Sequence, residues 1–323
     1  MSCAPDAPPS SVPHWRASSR PRPAPYPRFD FHGRNAQVLI EAVAHVTAGE
    51  VEINYHSGAS LDALPEIKRA GRTQPIAIGE PAMSTMENED PIFGIDALPF
   101  LANDFDRVEA PWAVTRDPVT ERLAEQGLTL VYAVSWPGQE LFTQMPIDGV
   151  AGFAGLKMRI QNPSTAAMAE MFDALPVRVV CADIPQAMET GIIEAMFTSG
   201  STGADKKAWD DVMHVYDVMA DAPKNVTFIN TELLESLPPP QQEAIMAAAA
   251  AAEARGWAMM ANEVRMKQAT LCAEVTCPDP IPATLQADLR EIGAELTARW
   301  LETAGAEGEA LIDRYQALEG VLY

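Results

Sequence analysis

The sequence lacks a hydrophobic run long enough to cross a membrane. No apolar stretch in its 323 residues approaches the ~20 residues that a transmembrane helix needs. Basic residues are also scarce, because 45 Asp and Glu oppose 23 Lys and Arg, for a formal net charge of -22. Such a surface repels phosphate backbones and anionic lipids. We therefore expect no nucleic-acid binding and no direct membrane insertion.

Cysteine and histidine patterns typical of metal sites are missing as well. The four cysteines form no CxxC pair and none has a histidine at zinc spacing. Cys272 and Cys277 would form a disulfide in an oxidising compartment, but two free thiols in a helical region are the favoured interpretation. The five histidines have no acid or nucleophile at a diagnostic spacing. The sequence thus predicts no metal, no cofactor and no catalytic residue.

The N-terminal stretch, residues 1–32, is rich in proline and arginine and has no apolar core of the kind found in secretory signals. We expect this stretch to be disordered. The pattern changes near Asn35, where apolar residues recur on one helical face up to Gly49. The chain length suggests about two domains.

Strands and helices alternate through the middle of the chain. Strands are predicted at 128–134, 157–160 and 177–180, with helices between them. Beyond residue 208 the pattern becomes mostly helical, with one long alanine-rich helix over 238–269. The alternation predicts an α/β fold with parallel βαβ units.

Arg159 is the first candidate site residue. It precedes Asn162, a good helix N-cap, and Pro163, which suits the first helical position. A guanidinium beside a helix N-terminus suits a planar anion, because its fork matches a carboxylate and the helix end adds partial positive charge. The alternatives are that Arg159 pairs with an internal acid or lies exposed.

A second candidate region is the end of the strand over 192–198. It would deliver Phe197, Thr198 and Ser199 to the carboxyl edge of a sheet, where open α/β folds bind ligands. The following GSTG is neither a phosphate loop nor a hydrolase nucleophile motif. The alternative is an ordinary strand end followed by a Gly/Ser loop.

Three segments in consistent order resemble one protein family. They are LKMRIQNPSTAAMAEMFDALPVRVVCADIPQAMETGIIEAMFTS (156–199), ENEDPIFGIDALPFLANDFD (87–106) and ELLESLPPPQQEAIMAAAAAAEA (232–254). The first contains an LK-x-R strand and a helix that ends in TG. The second contains L-P-F-L, and the third L-P-x-x-x-Q-x-A-I. This pattern resembles the solute-binding proteins of TRAP transporters over roughly residues 33–270.

The resemblance implies two α/β lobes of the periplasmic binding protein type, joined by a hinge and by long helices that cross both lobes. Lobe I would comprise 33–134 plus 217–258, and lobe II 135–216 plus 259–323. The resemblance further implies a periplasmic receptor that is not an enzyme. It would bind a small organic monocarboxylate and deliver it to a small and a large membrane subunit. The alternatives are a small-molecule enzyme acting on a carboxylate and a non-functional truncated homologue.

By this resemblance, Arg159 would clamp the ligand carboxylate. Thr198 stands where the family often has asparagine, and Gln139 stands near the position of a second arginine. Loss of that arginine favours a monocarboxylate over a diacid or a sialic acid. The remaining candidates are an aromatic wall and two residues that would face the cleft from the first lobe: Trp136, Phe197, Trp209, Glu80 and Asn88.

The front of the chain departs from the family pattern. Family members begin with a signal peptide and a first strand, and residues 1–32 show neither. A mispredicted start or a shifted upstream reading frame would explain the departure. We therefore expect one lobe to lack a strand, and the periplasmic location rests on the resemblance alone.

Overall fold

The computed structural model describes residues 20–23, 30–56, 64–72, 77–101 and 109–321. Its strands are β1 (Arg20–Pro23), β2 (Ile53–His56), β3 (Ile78–Gly79), β4 (Leu128–Ser135), β5 (Gln139–Thr143), β6 (Lys157–Ile160), β7 (Leu175–Arg178), β8 (Ala195–Ser199), β9 (His214–Tyr216) and β10 (Lys224–Asn230). Its α-helices are α1 (Phe31–Val46), α2 (Leu64–Arg72), α3 (Glu109–Ala124), α4 (Pro163–Met171), α5 (Ile184–Glu189), α6 (Gly200–Asp205), α7 (Thr231–Glu235), α8 (Pro239–Cys272) and α9 (Ala283–Val321). In these segments no helix is both long and apolar enough to span a bilayer.

Two sheets define two lobes. Lobe I is built on an antiparallel sheet in the order β3-β10-β4, and lobe II on a mixed sheet in the order β7-β6-β8-β5-β9. In lobe II, β6 pairs in parallel with both β7 and β8, whereas β5 is antiparallel to β8 and β9. The predicted α/β architecture of two lobes is confirmed, and within the lobe II sheet the parallel pairs are β6 with β7 and β6 with β8.

The chain passes between the lobes at two adjacent crossings. One joins β4 to β5 through residues 136–138, and the other joins β9 to β10 through residues 217–223. Backbone hydrogen bonds hold the crossings together: Trp136 N donates to Pro223 O at 2.8 Å, and Gln139 N donates to Asp221 O at 2.8 Å. This paired connection has the form of a two-strand hinge.

Helix α8 contacts both lobes. The indole Nε1 of Trp257 donates to the carbonyl of Ala133 in lobe I over 3.1 Å, whereas Leu271 is buried in a core cluster of lobe II. The helix approaches β4 closely at Gly256, where an added Cβ would lie 2.4 Å from Val134. Glycine is therefore required for this contact between helix and sheet.

Helix α9 also packs into both lobes. Leu285 and Leu289 belong to a lobe II core, and Trp300 and Leu311 belong to a lobe I core. The helix is interrupted at Gly305, whose φ of 60° and ψ of -151° suit only glycine. The predicted long lobe-crossing helices are thus confirmed. Helix α9 packs into the cores of both lobes, whereas the predicted boundaries assign all of 259–323 to lobe II. The other predicted lobe boundaries stay a prediction.

The front of the chain requires two corrections. Residues Arg20–Pro23 form β1, which pairs in parallel with β2, so the prediction of a missing first strand is wrong at these residues. Helix α1 begins at Phe31 and not near Asn35, because the Asp30 carboxylate caps it by accepting from Gly33 N at 2.6 Å. Residues 1–19 and 24–29 lie outside the described residues.

The C-terminal third also differs from expectation. Strand β10 lies within a region expected to be mostly helical, and it forms the centre of the lobe I sheet. Cys272 and Cys277 form a disulfide, so the expectation of two free thiols is wrong. The reason is geometric: α8 ends at Cys272 and the chain turns, which leaves the two Cα atoms 5.5 Å apart.

Candidate functional site

Arg159 lies where three strands end. It follows Met158 on β6, and the carboxyl ends of the parallel neighbours β7 and β8 lie on either side. Its side chain is only 5% exposed. The guanidinium donates to the carbonyl of Val179 at 2.9 Å, to Gln161 Oε1 at 2.9 Å and to the carbonyl of Phe197 at 3.4 Å. These three hydrogen bonds orient the guanidinium.

Asn162 forms the predicted cap of α4. Its Oδ1 accepts from Thr165 N at 2.8 Å, and Thr165 Oγ1 accepts in return from Asn162 N at 3.1 Å. This reciprocal arrangement fixes the start of the helix beside Arg159. The cap is confirmed, and a direct contact between Asn162 and a ligand stays a prediction.

The end of β8 provides buried polar groups on the same edge. Thr198 and Ser199 are 4% and 1% exposed, and Ser199 caps α6 by accepting from Thr202 N at 3.2 Å. The ring of Phe197, by contrast, lies in the lobe II core with its centroid 6.3 Å from that of Phe172. Phe197 therefore contributes its carbonyl to Arg159 and not an aromatic surface.

The predicted aromatic wall does not form as a set. Trp136 belongs to a lobe I cluster with Phe31, Phe197 belongs to a lobe II core, and Trp209 packs against a further cluster around Val212. Of the three rings, Trp136 is the one beside the crossing between the lobes.

Trp136 is part of a polar wall of lobe I, which comprises Asp30, His32, Glu80, Trp136 and Asn225. The centroids of the His32 and Trp136 rings lie 4.4 Å apart, and His32 Nδ1 lies 3.5 Å from Glu80 Oε1. Trp136 Nε1 donates to Asn225 Oδ1 at 3.1 Å. His32 and Glu80 are 2% and 1% exposed, so these polar side chains are buried from solvent.

The charges in this wall influence one another. Burial raises the pKa of Asp30 to about 6, His32 lowers that pKa, and Glu80 raises it. An acid held in such surroundings favours a partner that donates hydrogen bonds.

The thiol of Cys181 is influenced by charged groups of both lobes. Burial raises the pKa of its thiol, Arg159 of lobe II lowers that pKa, and Asp30 of lobe I raises it.

The other predicted residues occupy different places. Gln139 is buried at the start of β5, and its Nε2 donates to the carbonyl of Pro137 in the crossing at 3.0 Å. Asn88 lies exposed in a turn that follows a short 3-10 helix, Met83–Met86. As ligand contacts, both remain predictions.

Sequence reasoning missed Asp30, His32 and Asn225. An aspartate followed by the apolar pattern of α1 is a helix-start signal that was available for Asp30. His32 and Asn225 give no local signal, because their importance depends on Trp136, which is distant in the chain. Among the described residues, no group of three or more His, Cys, Asp or Glu side chains is arranged to hold a metal.

Comparison with known proteins identifies the relatives of this chain. The sequence model of the family described as "Bacterial extracellular solute-binding protein, family 7" matches residues 27–302. No curated protein matches significantly.

Solved structures match over nearly the whole chain. DctP7, a Bordetella pertussis extracytoplasmic solute receptor binding pyroglutamic acid, is 36% identical with a TM-score of 0.89, over 93% of this chain and 100% of its own. A marine metagenome TRAP solute-binding protein specific for pyroglutamate is 35% identical with a TM-score of 0.88, over 93% and 99%. A Chromohalobacter salexigens TRAP protein with bound D-glucuronate is 17% identical with a TM-score of 0.82, over 93% and 99%, and supports the fold alone.

Proposed function

Because the chain belongs to the TRAP transporter solute-binding proteins of family 7, we propose that it binds one small monocarboxylate between its lobes and delivers it to the transporter. The observation that carries this proposal is the placement of Arg159. Its guanidinium is buried and is oriented by hydrogen bonds to Val179, Gln161 and Phe197 where β6, β7 and β8 end. A planar, preorganised fork of this kind matches a carboxylate bidentately.

The ligand we propose is pyroglutamate. Two structural relatives with 35–36% identity are described as binding it. Pyroglutamate carries a single carboxylate on a five-membered lactam ring. A single carboxylate agrees with the absence of the family's second arginine, near whose position this chain has Gln139. It also carries a ring N–H, a hydrogen-bond donor that suits the acids of the lobe I wall.

The mechanism we propose is closure about the paired crossings. The carboxylate binds Arg159 on lobe II, the ring contacts the polar wall of lobe I, and the closed form is thereby favoured. A small and a large membrane subunit would then recognise that form. The periplasm is the compartment we propose, and the Cys272–Cys277 disulfide supports it, since disulfides persist in oxidising compartments.

A thermal-shift screen of the purified chain tests the binding function. At a ligand concentration of a hundred times Kd, binding stabilises the folded state by about 2.7 kcal/mol. We expect pyroglutamate to raise Tm and D-glucuronate to leave it unchanged. Mass spectrometry should recover the pyroglutamate chemically intact. Conversion of the ligand would favour an enzyme, and the absence of a shift with every small carboxylate would favour a non-functional homologue.

A further inference from the structure

Asn225 is a fully buried residue of the lobe I wall. It is the second residue of β10, its side chain is 0% exposed, and its Oδ1 accepts from Trp136 Nε1 at 3.1 Å. An indole N–H only donates, so the amide oxygen of Asn225 must be the atom that faces Trp136. The orientation of the amide is therefore fixed by chemistry, and its Nδ2 group is directed away from the indole.

The Nδ2 group of Asn225 is buried and has no hydrogen-bond partner in the described part of the chain. A buried donor without an acceptor costs about 1–3 kcal/mol. Most buried polar groups in folded proteins are paired. An amide left in this state beside a binding wall indicates an acceptor that arrives from outside the chain.

The lobe I wall that contains Asn225 also contains carboxyl groups, which can accept hydrogen bonds. Asn225 forms an isolated β-bridge with Ala82, and Val226 N donates to the carbonyl of Pro81 at 3.0 Å, so Asn225 lies beside the segment that begins at Glu80. Across the wall, Asp30 Oδ2 is buried and has no hydrogen-bond partner within the described residues. The wall therefore presents an amide donor together with carboxyl acceptors.

A lactam is the complement of that set. Its ring holds a carbonyl and an N–H on adjacent atoms, one requiring a donor and the other an acceptor. We propose that Asn225 donates to the ring carbonyl of the ligand while a carboxyl of the lobe I wall accepts from the ring N–H, so that Asn225 determines selectivity for lactam acids. This inference rests on the proposed function and deepens it.

The test uses three ring acids of nearly the same shape. Pyroglutamate carries the carbonyl and the N–H, 3-oxocyclopentane-1-carboxylate carries only the carbonyl, and cyclopentanecarboxylate carries neither. The ratio of Kd for the last two isolates the carbonyl, because both share one carboxylate and one ring size. Calorimetry with the wild type should give a ratio of at least about tenfold in favour of the carbonyl compound.

Two variants remove the donor. Asn225→Asp keeps the acceptor for Trp136, and Asn225→Leu is neutral and of similar size. In each folded variant the ratio should fall to about one or below, because Leu cannot donate to the ring carbonyl and the Asp carboxylate repels it. Asn262→Asp, the same change at an exposed position of α8, is the control and should keep the wild-type ratio.

The outcomes are distinguishable. A wild-type ratio near one, or a wild-type ratio retained in a folded Asn225 variant, overturns the role of Asn225 and leaves the binding function standing. If neither ring acid binds measurably, the variants are compared on pyroglutamate, where unchanged affinity in Asn225→Leu is the contrary result. If neither variant folds, the wild-type ratio decides. Failure of the wild type to bind pyroglutamate or either ring acid overturns the proposed function, and this inference with it.

Discussion

The carboxyl group of Glu140 on β5 lies against the side-chain amide of Gln268 on α8, with 2.7 Å between Glu140 Oε1 and the amide nitrogen. Glu140 is 7% exposed and stands next to the crossing from lobe I. Its pKa is about 8, because burial and then the charge of Asp217 raise it by more than hydrogen bonds from Gln268 and from the backbone of Gly200 lower it. A carboxyl group thus keeps its proton near neutral pH at the contact between the lobe II sheet and α8.

This protonation makes stability depend on pH. Between the ordinary value of 4.5 and the folded pKa of about 8, the folded state holds a proton that the unfolded state has lost, so stability falls as pH rises. We expect the Tm of the wild type to decrease from pH 5 to pH 8. Burial also raises the pKa of Asp96 to about 6 and of Glu87 to about 7, so both groups add to the decrease.

Glu140→Gln isolates the contribution of Glu140. The neutral amide removes this titration, so the decrease in Tm between pH 5 and pH 8 should be smaller than in the wild type by at least about 2 °C. Scanning calorimetry at several pH values measures it. Glu291→Gln, at an exposed position of α9, should keep the wild-type slope. Equal slopes for Glu140→Gln and the wild type would contradict the assignment.

Arg159→Lys should weaken binding of pyroglutamate by at least about tenfold. Lysine keeps the charge, but a single ammonium loses the planar fork and its three oriented hydrogen bonds. Titration calorimetry gives the affinity. Arg178→Lys, the same change at an exposed position on the adjacent strand β7, should bind as the wild type does. An unaltered Kd in Arg159→Lys would contradict the proposal that Arg159 binds the ligand carboxylate.

Trp136 should report ligand binding by its fluorescence. Its indole lies in the lobe I wall against His32, so closure of the lobes changes its surroundings. We expect pyroglutamate to change the emission of the wild type and Trp136→Phe to lose most of that change. Trp112→Phe, in the core of lobe I, should retain it. A full response in Trp136→Phe would place the ligand elsewhere.

Reduction should destabilise the chain moderately. The Cys272–Cys277 bridge closes a loop with a sequence separation of 5, for which loop-closure entropy gives about 2 kcal/mol. Dithiothreitol should lower the urea midpoint of the wild type and leave that of the double variant Cys272→Ser, Cys277→Ser unchanged. In denatured, unreduced protein, a thiol assay should detect Cys3 and Cys181 only; detection of all four cysteines would disprove the bridge.

Local patterns were sufficient for many elements. The cap at Asn162 and the start of α4 follow from a side chain that bonds its own backbone and a proline at the first turn. Strand β4 follows from a continuous apolar run, LTLVYAVS. The long alanine-rich helix α8 follows from intrinsic propensity. These features depend on residues a few positions apart, which a sequence presents directly.

Other features depended on distant partners. Strand β10 carries polar residues among its apolar ones, and it is a strand because β3 and β4 pair with it on both sides. The Cys272–Cys277 bridge depends on where α8 ends. Phe197 appeared to be a wall residue, but the pairing of β8 with β5 turns its ring into the core.

By itself, the sequence determined the α/β class, the family and the position of Arg159 at a strand end, because these are carried by short-range patterns and contiguous motifs. Only the tertiary structure decided which groups form the lobe I wall. Asp30 and His32 at the start of α1 come together with Glu80, Trp136 and Asn225 from four separate places in the chain, and folding of lobe I brings them into one wall. A binding surface assembled from such distant residues is a property of the packed fold, since no local interaction specifies it.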